Sequence, residues 1–437
     1  MYASVRNRPS PALESGPVDR RPAGPGSAAP GRWFGMDGNV FYLGLTSFFT
    51  DISSEMVTAI LPIYLTIRLG LSPFQFGAFD GLYQVMAVVA AIGAGARADR
   101  RRRHKEMAGA GYALSAGCKL GLLATFNHWL PTTAFLYLDR TGKGLRTAPR
   151  DALISLSAPR HRLAEAFGVH RALDTAGALA GPVLAFAILA AAPRAYDAVF
   201  ACSFLVALIG LGILVFFVQN RASAPLAQKR LGRRHGSFRA ALTLHRTRRF
   251  RALVVGGALV GLLTVSDSFV YLTFQRRASI DLRWFPLLFV GASVVYLVLA
   301  VPVGRLADRV GRARVFVAGQ VLLVATYAVV ALPDPGAVHL LAVFALFGGY
   351  YAATDGILAA MAADALPVHQ RGTGLAVLTT AVTAAHAVGA IAFGWSWSHY
   401  GPQATLVVFA GCLAVATMVV RQLLADTDSD ITEEAFA

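Results

Sequence analysis

The chain has 437 residues, of which 56% are hydrophobic and only 15% charged, and its formal net charge is +16. Soluble globular proteins carry about 25% charged residues, so a single soluble core of this length is excluded. The apolar residues come in blocks of about 20, the length of a bilayer-crossing helix, and the short alternating strands of a membrane barrel are not seen.

In chain order, residues 1–34 are rich in Pro, Gly, Ala and Arg and lack the apolar run of a secretory signal, so they read as a disordered cytoplasmic tail. Twelve candidate helical spans follow, near 38–66, 74–96, 107–126, 132–157, 167–191, 197–218, 252–274, 284–304, 315–332, 338–363, 373–394 and 403–421. They divide six and six. An N-terminal bundle is expected over 35–219, a basic cytoplasmic linker over 220–251, a C-terminal bundle over 252–422, and an acidic, disordered tail over 423–437.

The positive charge does not mark a nucleic-acid binder, because it is confined to alternate loops. Arg97, Arg100, Arg101, Arg102, Arg103 and Lys105 crowd one turn, and the linker is basic with no acid, whereas 127–131 and 333–337 have neither Lys nor Arg. This alternation predicts a multi-pass protein of the inner (plasma) membrane with both termini and the linker in the cytoplasm. The loop at 275–284, with Arg276, Arg277 and Arg283, is the exception.

Ionisable residues inside spans are costly and so point to function, with a structural ion pair as the alternative. Asp51 and Glu55 share a face of the first span at i, i+4. Two close acids in low dielectric cannot both ionise cheaply, which suits proton coupling. The fourth span is the most polar. Asp139, Lys143, Arg146 and Arg150 fall on one helical face, which must look into the bundle or a wet cavity, with Arg140 beside it. A network with Asp51, Glu55 and Asp174 is the structural alternative. Arg150 and Asp151 read as structural, and His170 and Asp174 could pair four residues apart. Later, Asp267 stands with Ser266, Ser268 and Tyr271, and Asp355 with Tyr350, Tyr351 and Thr354. Asp80, Lys119 and His386 read as paired structural groups. No phosphate-binding loop, metal-ligand spacing or catalytic domain is found, so no enzyme, cofactor or metal is expected. Cys118, Cys202 and Cys412 all lie in spans and imply no disulfide framework.

One motif occurs twice. Gly95-x-x-x-Asp99-Arg100 is followed by a basic cluster, and so is Gly304-x-x-x-Asp308-Arg309-x-Gly311-Arg312, with the two Asp residues 209 positions apart (308 − 99). A charged hinge repeated once per half marks a duplicated bundle. The motif resembles the signature of the major facilitator superfamily in the turn between helices 2 and 3, with its counterpart between helices 8 and 9; Arg102 replaces a Gly in the first copy. The resemblance covers roughly residues 35–422 and implies an all-α membrane fold of two pseudo-symmetric six-helix bundles with helices 1, 4, 7 and 10 lining a central cavity. Gly168-x8-Gly177-x3-Gly181-Pro182 is similar to the family's antiporter motif until Ala185 and Phe186 replace two glycines, and the family associates that motif with proton-driven export. Arg140-x-x-x-Gly144 is similar to the helix-4 motif whose Arg is implicated in proton transfer. The longer string from Asp139 to Ala152 resembles a poorly characterised prokaryotic branch.

The resemblance therefore implies a drug:proton antiporter-like secondary transporter that works as a monomer on a small molecule and protons in the lipid bilayer. Asp51, Glu55 and Arg140 are expected to couple protons. Asp139, Lys143, Arg146, Asp267, Tyr271, Tyr350, Tyr351 and Asp355 are expected in the substrate cavity. Gly95, Asp99, Arg100, Gly304, Asp308, Arg309 and Gly311 are expected to form conformational gates. Proton-coupled uptake of an organic anion or metal chelate, favoured by the basic face of span 4, and a non-transporting receptor or scaffold are the competing readings.

Overall fold

The computed structural model describes residues 32–33, 36–101, 103–159, 162–220, 248–332, 336–367 and 370–436; the side chains of 32–36, 92–101, 164 and 426–436 lie outside that description. Apart from a two-residue antiparallel pair, Arg32–Trp33 with Met36–Asp37, the described residues are helices and short connections. α1 (Gly38–Ile63) starts at Asp37, whose carboxylate accepts from the Asn39 N–H, and its last turn widens into a π-helix over Tyr64–Arg68. Then follow α2 (Pro73–Arg101), α3 (His104–Leu123), α4 (Trp129–Ser157), α5 (Leu163–Ala191) and α6 (Tyr196–Phe217). The second half holds α7 (Arg248–Leu263), α8 (Asp267–Arg277), α9 (Phe285–Val310), α10 (Arg312–Ala331), α11 (Ala337–Thr354), α12 (Ile357–Asp364) and α13 (Arg371–Phe436).

Eight stretches among the described residues are long and apolar enough to cross a membrane. One, Arg371–Ala425, has 55 residues, about twice what a bilayer needs at 1.5 Å per residue, and it bends at Gly401 (φ +82°) before Pro402. α3 and α4 are more polar than these eight, and α4 carries its charge inward. Large apolar side chains such as Phe216 (81% exposed) and Met418 (67% exposed) point outward, as lipid-facing surfaces require. The chain is a multi-pass membrane protein of the all-α class.

Three differences from the sequence reading have local causes. The seventh span is two helices, because Thr264–Ser266 leave the helical path. The freed backbone groups are met by one hydroxyl: Val265 N donates to Tyr327 Oη at 2.6 Å and Tyr327 donates to Leu263 O at 3.2 Å. The tenth span breaks at Asp355–Gly356, where Gly356 takes φ +77°. The helix expected to end near 421 continues to Phe436, and neither Gly nor Pro occurs in 422–436 to stop it.

In the first half α1 packs on α5 and α6, and α4 on α2 and α3; in the second, α13 packs on α7 and α10, and α11 on α9 and α10. The halves meet where the 69–72 and 278–284 connections lie. Gly81 of α2 leaves a would-be Cβ only 2.6 Å from Ala387 O of α13, and Gly77 and Gly394 allow equally close backbone approach. Phe76 meets Phe269 edge-on with centroids 5.0 Å apart, and Phe186 meets Trp284 at 4.8 Å.

Candidate functional site

The charged stripe of α4 does share a face, but that face looks into the N-terminal bundle. Asp139 turns to α3, where it accepts from Lys119 Nζ at 2.9 Å and from Ser115 Oγ at 2.5 Å; the Lys119 side chain is 1% exposed. Arg146, 2% exposed, reaches Asp51 on α1 at 3.3 Å and lies 4.6 Å over the Tyr112 ring. Lys143 reaches Glu55 at 3.4 Å, with both side chains partly open (34% and 25%). Arg150 bridges Asp151 at 3.1 Å and Asp174 at 3.6 Å, and donates to Ser47 Oγ at 3.3 Å. His170 bonds Ser47 at 2.9 Å, so the expected pairing of His170 with Asp174 is not formed.

Two expectations are corrected by this geometry. Asp139 and Arg146 are interior partners and do not line the central cavity among the described residues. Arg140, expected to act with Asp51 and Glu55 in proton coupling, makes no ion pair with either among the described residues; Arg146 pairs with Asp51 and Lys143 with Glu55. Arg140 follows Asp139 by one residue, about 100° around the helix, and so leaves the stripe. Its guanidinium lies 4.1 Å over the Tyr83 ring of α2 and donates to Thr58 Oγ1 at 3.4 Å, while Nε has no partner. Gly144, one turn on, makes room: a Cβ there would stand 2.7 Å from Ala90 Cβ of α2.

Between the halves lies a cavity of about 580 Å³. Four acids reach it, Glu55, Asp80, Asp174 and Asp267, against two guanidiniums, Arg140 and Arg171. Phe76, Phe79, Tyr83, Phe289, Tyr296 and Tyr351 supply aromatic walls. A second cavity, also about 580 Å³, shares Gln84, Tyr351 and His386 with it and is lined by Tyr350, Thr354 and Asp355 of the second half. Lys143 lines neither cavity, and Tyr271 is fully buried between Phe289 and Phe347, its hydroxyl unpartnered.

The breaks at Thr264–Ser266 and Asp355–Gly356 each carry an acid held by a tyrosine. The Tyr351 hydroxyl donates to Asp267 at the start of α8. The Tyr296 hydroxyl donates to Asp355 at the end of α11, at 2.8 Å. Discontinuous helices with polar groups at the break are the usual way to build a binding site inside a membrane bundle. Sequence reading missed Asp80, Tyr83, Gln84, Arg171 and Tyr296 as cavity residues. The signal was present for α2, where Asp80, Tyr83 and Gln84 stand at i, i+3, i+4.

Of the glycine motif, Gly177 and Gly181 press α5 onto α1: a Cβ on Gly181 would lie 2.7 Å from Ile52 O and 2.9 Å from Glu55 Cβ, and one on Gly177 would meet Phe48 O. Ala185, buried, continues the stripe, and Pro182 lines the cavity. Gly168 has open space around it. At the second charged turn, Asp308 accepts from Arg312 Nη2 at 2.8 Å, and Arg312 Nη1 reaches Asp364 at 2.5 Å, linking α9, α10 and α12. Gly311, at φ +105°, takes the backbone through the turn between α9 and α10, and Gly304 has nothing near it. Arg309 lines a groove beside this cluster. The side chains of Gly95, Asp99 and Arg100 lie outside the described residues.

The profile of the Major Facilitator Superfamily matches residues 43–291 and 278–435. The chain belongs to this superfamily. An uncharacterized MFS-type transporter of Methanocaldococcus jannaschii is 30% identical over 385 residues, covering 86% of this chain and 92% of that relative. An uncharacterized protein of Mycobacterium tuberculosis is 29% identical over 157 residues, 36% of this chain and 38% of that protein. Among solved structures, a POT family transporter in complex with 5-aminolevulinic acid superposes with a TM-score of 0.75 at 14% identity, covering 91% of this chain and 98% of that one. A nucleoside transporter also superposes with a TM-score of 0.75 at 14% identity, covering 88% and 99%. At that identity the likeness carries the fold. This superfamily member is a membrane transporter.

Proposed function

We propose that the chain is a proton-coupled secondary transporter that exports small organic molecules by alternating access, with twelve membrane crossings and both termini in the cytoplasm. The observation that carries this reading is the cavity between the halves, in which four carboxylates outnumber two guanidiniums among aromatic rings. Aromatic faces suit a neutral or cationic organic molecule, and among the described residues Asp80 and Asp267 have no ion-pair partner, whereas Glu55 pairs with Lys143 and Asp174 with Arg150. An organic anion would meet the unpaired Asp80 and Asp267 carboxylates there, which argues against the uptake reading.

Proton coupling runs through Glu55 rather than Asp51. Glu55 lines the cavity, and its contact with Lys143 is partly open, so its proton and its partner can exchange. A carboxylate that alternates between a paired, charged form and a protonated form links proton passage to the rocking of the halves. Gly177 and Gly181 support this role by holding α5 against the stretch of α1 that bears both acids.

The test is a proteoliposome assay with an imposed pH gradient and ethidium as the probe cation. Inside-out vesicles with an acidic interior should accumulate ethidium, and a protonophore should abolish the accumulation. Uptake of organic anions into right-side-out vesicles from an acidic exterior, with no ethidium movement, would turn the assignment toward import. No gradient-driven flux of either class would remove the transporter reading in favour of a receptor.

A further inference from the structure

The geometry points to a proton-binding site between Asp80 of α2 and Ser266 at the α7–α8 break, which latches the two halves together when Asp80 is protonated. The inference rests on the proton-coupled reading above and adds a second site to it.

Asp80 and Ser266 come from opposite halves and line the same cavity. Their residues are 6% and 7% exposed. They stand close enough to interact, yet neither Asp80 Oδ2 nor Ser266 Oγ has a hydrogen-bond partner. A third buried atom in the same cavity, Arg140 Nε, is also unpartnered. Leaving a buried polar atom without a partner is costly, so such a cluster asks for a ligand. Asp80 makes no ion pair among the described residues, unlike Asp51, Glu55, Asp139 and Asp174, each of which has a cation within 4 Å.

The titratable groups facing Asp80 define what its proton does. Arg140 and Tyr137 face it from α4, and Asp267 from α8. Farther round the cavity stand Glu55 on α1, Tyr83 on α2, Arg171 and Asp174 on α5, Tyr296 on α9, Tyr351 on α11 and His386 on α13. His386 answers to Asp267 and not to Asp80. Arg140 is therefore the cation that can offset a charged Asp80, and it lies in Asp80's own half.

Two states follow. With a proton, Asp80 is neutral, needs no cation, and donates its O–H to Ser266 Oγ across the interface. Without it, the buried carboxylate draws Arg140, whose free Nε can donate, and a hydroxyl alone cannot offset the charge. Asp80 lies in the part of α2 that meets α13 and α8. Protonation therefore holds that end shut and leaves the opposite end open, and loss of the proton frees the halves to rock. A proton entering from one side and leaving on the other drives one cycle of the switch.

The experiment uses the full-length protein with Cys118, Cys202 and Cys412 replaced by Ala. Spin labels are placed on cysteines at Ser155 of α4 and Gly372 of α13, where space is open, and the distance between them is measured against pH by double electron–electron resonance. The unmutated cavity should give a long distance at acid pH and a growing short population as pH rises. Asp80→Asn should hold the long distance at every pH, because the amide can donate to Ser266 as the protonated acid does. Ser266→Ala should lose the long population at acid pH, and it decides the matter where Asp80→Asn does not fold. Glu55→Gln should shift the response without abolishing it, because the Asp80 site still titrates. A normal pH response in Asp80→Asn, or in Ser266→Ala, overturns the site; a response lost only in Glu55→Gln does so while leaving proton coupling intact. No pH response in the parent overturns the proton-coupled reading itself. A response to Na⁺ at fixed pH, in place of the response to pH, overturns the proton as the ligand.

Discussion

Asp51 and Glu55 stand one turn apart on α1 but occupy different environments. Asp51 meets Arg146, whose side chain is 2% exposed, while Glu55 and Lys143 are partly open to the cavity. Removing one member of a buried pair leaves the other charge uncompensated, at a cost of about 3–5 kcal/mol. Asp51→Asn should therefore lower the thermal unfolding temperature of the detergent-purified protein clearly, whereas Glu55→Gln should leave it near the parent's. Glu55→Gln should instead abolish gradient-driven ethidium accumulation while preserving ethidium counterflow, because exchange needs no net proton movement. Accumulation intact in Glu55→Gln would remove that residue from the coupling route. Lys119 offers a matching test on α3. Lys119→Met strands Asp139 and Ser115 and should destabilise by about 3–5 kcal/mol. The double variant Lys119→Met with Asp139→Leu should recover most of that loss, since a buried ion pair can often be replaced by apolar residues at little cost. Thermal unfolding of the three proteins reads this directly, and a double variant no better than the single one contradicts the structural role given to Asp139.

At the scale of elements, the contact of α5 with α1 depends on missing side chains. A Cβ at Gly181 would meet Ile52 O at 2.7 Å, and both partners are helix backbone that cannot give way cheaply. Gly181→Leu should push the helices apart, cost about 1–3 kcal/mol or more by overpacking, and displace Glu55 with them. Gly168→Ala, in open space, should be neutral and even slightly favourable to the helix. Expression, unfolding temperature and ethidium transport should thus separate the two variants. Equal effects from both would mean that the motif acts through something other than α1–α5 packing. The breaks at Thr264–Ser266 and at Gly356 are the other element-scale feature. They set Asp267 and Asp355 at helix ends, where each carboxylate is held by a tyrosine, Tyr351 or Tyr296.

At the scale of the whole molecule, the halves are joined at one end by the backbone contacts of α2 with α13 and by Phe186 on Trp284. The basic α9–α10 turn lies at the other end, with Arg312 bridging Asp308 and Asp364 within the second half. Those side chains are 35–63% exposed, so each pair is worth on the order of 0.2–1 kcal/mol, weak enough to break in each cycle. By the positive-inside rule this end is expected in the cytoplasm. Single cysteines at His128 and Asn220 check that orientation in intact cells treated with a membrane-impermeant maleimide. His128→Cys should be labelled and Asn220→Cys should not; the reverse pattern would invert the topology.

The class of fold was legible in the sequence because bilayer thickness and charge asymmetry act on the chain one segment at a time: twenty apolar residues, or a run of arginines, mean the same thing in any tertiary context. The duplicated Gly-x-x-x-Asp-Arg turn and the glycines at 177 and 181 were legible for the same reason, since a tight turn or a close helix contact restricts the residue types at the spot itself. The partners of each charge were not. Asp139, Lys143, Arg146 and Arg150 fall on one face by helical period alone, but only the packing of α4 between α1, α2 and α3 decided that this face looks inward and that Arg140 reaches the cavity. Asp80 and Ser266 lie 186 positions apart (266 − 80), and no local pattern links them. The break in the seventh span likewise depended on the Tyr327 hydroxyl from another helix, which meets the Leu263 and Val265 backbone groups that an isolated segment could not leave unpaired in a membrane.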